Sequence, residues 1–204
     1  MNLKEKFTEL LTNIGFSANK IEQHWLDLEM AYSNKSRHYH NLTHLKDMVE
    51  CFELYFDNLQ FPNEVLFSIF YHDYVYKSSK KDNELKSAEY AVKILPKETT
   101  LNSKLVFDMI CATQLHQHNE IEDINWLIDF DLKILARDWQ EYQIYFEQIR
   151  KEYRIYPDFL YKPGRAKALK HFLENEFIFQ TKTFRDLFEE KARANIEKEI
   201  LLLA

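Results

Sequence analysis

The nine residues "RHYHNLTHL", 37 to 45, contain three histidines, and His40 and His44 are four apart. Three further places put imidazoles or carboxylates where an apolar segment does not want them. His72-Asp73 closes the run "LFSIFYHD", His116 and His118 follow the apolar stretch beginning at Ser103, and Asp129 and Asp131 lie within "LIDFDLKIL". A buried carboxylate without a cationic partner is costly, and these segments hold few Lys or Arg residues. A divalent cation would satisfy several of these groups at once, because neutral imidazole and carboxylate are both good ligands. Helical spacing puts His40 one turn, about 6 Å, before His44, on the same side. Asp129 and Asp131 point to different helix faces, so at most one faces such a site. Each piece also has an ordinary reading, as a hydrogen-bonded helix terminus or a solvated face.

Helices must position these groups. Apolar residues at helical spacing predict helices over 3–13 and 18–31, with Gly15 between them. Residues 42–56 carry Leu42, Leu45, Val49, Phe52 and Phe56 on one stripe, with Asn41 as cap. Pro62 opens a helix that runs through "EVLFSIFYHD". Further helices are expected over 82–95, ended by Pro96, then over 103–116, 123–137 and 138–153. The stretch "YPDFLYKPG" reads as a loop before two closing helices. Two glycines and four prolines in 204 residues leave little for the tight turns of a sandwich or barrel, so the fold class is all-α. No repeat, low-complexity segment or linker interrupts the chain. The expectation is one domain over residues 1–204, with a site-bearing core at about 37–137 and helices 138–204 packing on it.

Composition excludes several function classes. The net charge of −6 is spread over both signs and offers no basic stripe for duplex nucleic acid. No apolar run reaches membrane-spanning length, and "MNLKEKFTELL" is an amphipathic helix, not a cleavable signal. Cys51 and Cys111 lie in apolar helical patterns without metal spacing, so they are expected as buried free thiols in a reducing, cytoplasmic setting.

The order H…HD…D on helices resembles the HD superfamily of metal-dependent phosphohydrolases. Those enzymes are all-helical and hold metal with a His, a His-Asp pair and a later Asp. "YHNLTH", "FYHDYVY", "DNELKSA", "DFDLKIL", "IRKEY…YKPGR…FL…IF" and "FEEKARANI" are similar to a bacterial family of predicted HD phosphohydrolases of about this length. That likeness covers nearly the whole chain and implies an HD-type helical bundle. "YHNLTH" also resembles the YHNxxH signature of cyclic-nucleotide phosphodiesterases. Their glutamine-bearing purine pocket has no counterpart here.

The resemblance implies one divalent ion (Mn, Fe, Co, Ni, Zn or Mg) held by His44, His72, Asp73 and Asp131. Asp131 is preferred over Asp129 because the family's Asp-Leu element matches "FDL"; Asp129 is then a supporting or capping carboxylate. Bound water would lose a proton more readily at such an ion and attack phosphorus. His40 takes the role of general acid and, with Asp73, of the catalytic group. Asn83 and Glu84 of "DNELKSA" are candidates for orienting water, or mark an exposed helix start. Arg37, Arg150, Arg165, Tyr153, Tyr161 and His116 are candidates for contacting a phosphate, or for His116 a second metal. Surface ion pairing is the ordinary reading of each arginine, more so of Arg150, and core packing fits the two tyrosines equally well. The expected activity is hydrolysis of a small phosphate ester, a nucleotide or related metabolite. The alternative is a non-catalytic helical sensor that binds a metal or nucleotide. A homodimer is compatible with the sequence.

Overall fold

The computed structural model describes residues 2–203. Among the described residues there are ten α-helices, two short 3-10 turns and no strand. The chain is therefore all-α. It divides into two compact units, Met1–Gln117 and His118–Ala204. The break falls between residues 112 and 122, ahead of residue 138, where the sequence separates a site-bearing core from closing helices. No composition shift marks it.

The first unit holds α1 (Leu3–Asn13), α2 (Ala18–Tyr32), α3 (Leu42–Leu54), α4 (Pro62–Tyr71), α5 (Asn83–Ile94) and α6 (Ser103–Ala112). Gly15, at φ +96°, reverses the chain between α1 and α2, a conformation other residues adopt only under strain. α4 is the central element and packs against α1, α3, α5 and α6. That placement follows from its sequence: every position from Glu64 to Tyr71 is buried, so no face is left for water. Phe70 meets Phe7 edge to face at 5.1 Å, and the Tyr32 hydroxyl donates to the Phe70 carbonyl at 3.2 Å. The buried Glu64 accepts from the Asn102 amide at 3.0 Å and so anchors the start of α6 to α4.

The second unit holds α7 (Glu122–Leu132), α8 (Trp139–Glu152), α9 (Asp158–Glu174) and α10 (Lys182–Leu203). A 3-10 turn at Lys133–Ala136 touches α7, α8 and α10. Asn195 of α10 donates to the carbonyls of Leu135 and Arg137 at 2.9 and 2.8 Å, closing that turn. Tyr142 of α8 donates to Glu199 of α10 at 2.6 Å, and Arg165 of α9 grips the same carboxylate through Nε at 2.8 Å.

Four elements differ from the sequence expectation. The helix expected over 123–137 ends at Leu132 and continues as the 3-10 turn Lys133–Ala136. The helix expected over 103–116 stops at Ala112, where the Thr113 hydroxyl donates to the Ile110 carbonyl. His116 lies beyond it in a left-handed conformation, φ +52°. The stripe expected over 42–56 ends as helix at Leu54 and continues as a 3-10 turn, with Phe56 largely exposed. The "YPDFLYKPG" segment is not a loop: α9 starts at Asp158 and runs through Pro163 and Gly164. Pro157 supplies a sharp start, and Pro163 costs the helix one backbone hydrogen bond without ending it. No described helix is long and apolar enough to cross a membrane.

Candidate functional site

Asn41 starts α3. Its side-chain oxygen accepts from the Thr43 amide at 2.8 Å, and its Nδ2 donates to the His38 carbonyl at 2.8 Å. This cap ties the histidine-rich turn to the helix. His44, in the first turn of α3, faces inward and is 3% exposed. His40 stands before the cap, so it is not one helical turn from His44 as the spacing suggests. The turn nevertheless brings the two rings to 6.0 Å, edge to face.

His72 is the residue at which α4 ends, and it keeps helical backbone angles. Its Nδ1 lies 2.9 Å from the Ile69 carbonyl. A carbonyl only accepts, so Nδ1 carries the proton and Nε2 presents its lone pair. That Nε2 faces His44 Nε2 at 3.2 Å and Asp73 Oδ2 at 3.1 Å. His40 Nε2 lies 3.9 Å from the same Asp73 oxygen. All of these side chains belong to the first unit, and His72 and Asp73 are 1% and 7% exposed.

Lone-pair atoms crowded this way repel unless a proton or cation lies among them. Two ligands cis to one octahedral ion at about 2.1 Å sit about 3 Å apart, which is the spacing found here. The His44 and His72 nitrogens are accordingly spaced to share a metal ion. Their nitrogens suit a transition metal better than Mg or Ca, while the carboxylate suits either.

The Arg37 guanidinium, expected as a phosphate contact, is engaged by backbone carbonyls. Nη1 donates to the Asp73 carbonyl at 2.7 Å and to the His40 carbonyl at 3.4 Å, and Nη2 donates to the Tyr74 carbonyl at 2.8 Å. The group also lies over the rings of Tyr32 and Tyr76. Its charge serves carbonyls left open at the end of α4 and binds them to the histidine turn. Asn83 likewise has a backbone role: it accepts from the Lys77 amide at 3.1 Å and donates to the Lys77 carbonyl at 3.0 Å. Glu84 is half-buried in the first turn of α5. Burial pushes the Cys111 thiol up, with Asp108 and then Glu84 adding to the effect. Cys51 is buried, Cys111 is half-buried, and both are free.

In the second unit, Asp131 is half-buried on α7 and Asp129 is fully buried. Asp129 accepts from the amides of Gln180 and Thr181 and from the Thr181 hydroxyl, at 2.6 to 2.8 Å. It fixes the chain just ahead of α10. Burial pushes its carboxyl up to about 7, against these donors, which favour the charged form. Arg165 turns to Glu199 with Nε and Nη2, and its expected phosphate role would require it to leave that partner. Tyr161 is buried beneath the Arg150 guanidinium, 4.5 Å from ring centroid to Cζ, and burial pushes its hydroxyl up to about 12. Arg150 itself pairs with Asp158 at 2.7 Å.

Residue types and spacing did not point to Tyr39 and Tyr76. Tyr76 stacks on His40 with centroids 4.2 Å apart, and Tyr39 touches both His40 and His44. Tyr76 lies inside "FYHDYVY", where a further aromatic after the His-Asp pair was the available signal. No protein-family model, curated protein or solved structure matches the chain.

Proposed function

We propose that the protein is a metal-dependent phosphohydrolase acting on a small phosphate ester, of the nucleotide or related-metabolite class. One observation carries the reading: His72 Nε2, with its lone pair fixed by the Ile69 carbonyl, faces His44 Nε2 and Asp73 Oδ2, while His40 stands beside the same carboxylate. In this reading His44, His72 and Asp73 hold the ion, and Asp131 is the further ligand that the likeness to HD phosphohydrolases implies. A bound divalent ion supplies an activated water and neutralises charge on the phosphoryl oxygens.

The chain's own residues do the rest. The Ile69 carbonyl keeps His72 in the tautomer that can bind. Arg37 holds the Asp73 and Tyr74 carbonyls against the His40 turn, so the ligand and the acid keep their separation. His40, within reach of Asp73, holds a proton at Nε2 and gives it to the departing oxygen. A pure binding site has no need of that second imidazole.

Release of phosphate or alcohol from a panel of phosphate esters, with Mn²⁺, Co²⁺, Ni²⁺ or Mg²⁺ added to metal-stripped protein, tests this reading. Metal-dependent turnover on at least one ester is expected. Stoichiometric metal binding without turnover on any ester would point to a sensor domain, and no metal binding would end the reading altogether.

A further inference from the structure

We infer that Tyr76 is a positioning residue for His40, fixing the plane of its imidazole; its catalytic consequence rests on the proposed role of His40 as proton donor. The two rings stack at 4.2 Å with 28° between their planes. The Tyr39 ring lies near-perpendicular to His40 at 5.0 Å and 79°, so a second aromatic bounds the imidazole.

Tyr76 is itself held with more care than a surface segment needs. On its N-terminal side, Ser87 Oγ accepts from the Val75 amide at 3.0 Å and donates to the Val75 carbonyl at 3.3 Å. On its C-terminal side, Asn83 makes the matching pair of bonds to Lys77. Arg37 secures Asp73 and Tyr74 just before it. The backbone at 73–77 is thus pinned from three directions, and α5 supplies two of the pins. The "DNELKSA" motif thereby gains a structural role, since Asn83 and Ser87 hold the stretch that carries Tyr76.

The two histidines are oriented in different ways. His72 is fixed by a hydrogen bond that commits Nδ1, which suits a ligand that needs only one nitrogen. The Tyr76 ring adds a restraint on His40 through its π face. Orientation matters here because a small misplacement of a reacting group can cost up to about a hundredfold in rate.

Tyr76→Phe and Tyr76→Leu decide it. Both are first checked for unchanged helicity and metal content. Tyr76→Phe keeps the ring and should stay within about twofold of wild type. Tyr76→Leu should lose about tenfold or more in kcat on an alkyl phosphate, with KM little changed, and far less on 4-nitrophenyl phosphate, whose oxygen departs without a proton. Equal slowing on both esters, or a change confined to KM, would overturn the inference. A second readout is independent of turnover. The His40 ring protons should be shifted upfield by the facing ring in wild type and Tyr76→Phe, and should return toward ordinary values in Tyr76→Leu. If no ester is hydrolysed, the proposed function fails while this shift still decides whether Tyr76 fixes His40. An unchanged shift in Tyr76→Leu refutes it.

Discussion

His44 and His72 turn their Nε2 atoms toward each other across 3.2 Å, one from the first turn of α3 and the other from the end of α4. Both are buried, so the contact is not an accident of mobile surface chains. Its consequences can be measured.

His44→Ala and His72→Ala should each lose bound metal while far-UV circular dichroism remains that of a helical protein. Removing one ligand opens the coordination shell but leaves the apolar faces of α3 and α4 intact. Elemental analysis of purified variants checks this. Metal at the wild-type level in both would remove them from the ligand set. Stripping metal from wild type should also lower its melting temperature, because an ion bound only by the folded chain, supplied at a hundred times its Kd, adds about 2.7 kcal/mol.

His40→Ala should keep its metal and turn over slowly. A general acid contributes on the order of 10² to 10⁴ in rate. The loss should shrink on 4-nitrophenyl esters, since that leaving group needs no proton. Steady-state kinetics on a matched pair of esters gives the answer, and equal losses on the two would leave His40 a structural residue.

Arg37→Lys should destabilise the fold by about 2–4 kcal/mol, more than an exposed arginine would. One ammonium cannot reproduce the forked set of bonds to three carbonyls, and it leaves buried acceptors short of donors. Denaturant unfolding measures the change. If stability is unaffected and only KM rises, Arg37 is a substrate contact after all.

Asp129 and Asp131 should separate cleanly. Asp129→Ala strands the Gln180 and Thr181 donors in a buried setting and should cost about 2–4 kcal/mol. Asp131→Ala, at a half-buried position, should change stability much less and should lose metal. Paired unfolding curves and metal analyses test both. The reverse pattern would transfer the ligand role to Asp129.

His24 should make the protein less stable in mild acid. Burial lowers its pKa, opposed by Asp27 and assisted by Lys20, and its Nδ1 is buried without a partner. Its ring packs edge to face against Phe16 at 5.2 Å. With the folded value below the unfolded one, of about 6.5, the full contribution is present above that pH. It falls away as the pH drops from there through the folded value. His24→Phe keeps the packing and removes the titration. The loss of stability between about pH 7.5 and 5.5 should therefore be smaller in the variant, as urea unfolding at the two pH values would show.

Local patterns sufficed wherever one segment decides its own structure. The apolar stripe beginning at Leu3, the Asn41 cap and the all-round burial of α4 follow from residue type and spacing, because helix formation and capping act over a few residues. The same is true of the histidines as candidate ligands: imidazole next to an apolar run is visible without coordinates. Spacing failed where the backbone left the helix. His40 lies in a turn ahead of the cap and His116 in a left-handed loop, so a count of residues per turn could place neither. Pro163 and Gly164 looked like loop residues, yet α9 runs through them, because neighbouring elements can outweigh local propensity. Partner choice was likewise beyond the sequence. That Arg37 serves three carbonyls, that the Ile69 carbonyl sets the His72 tautomer, and that Tyr76 covers His40 depend on contacts between segments far apart in the chain or folded back on themselves. Residue types supplied the chemistry, and only packing determined which atoms met.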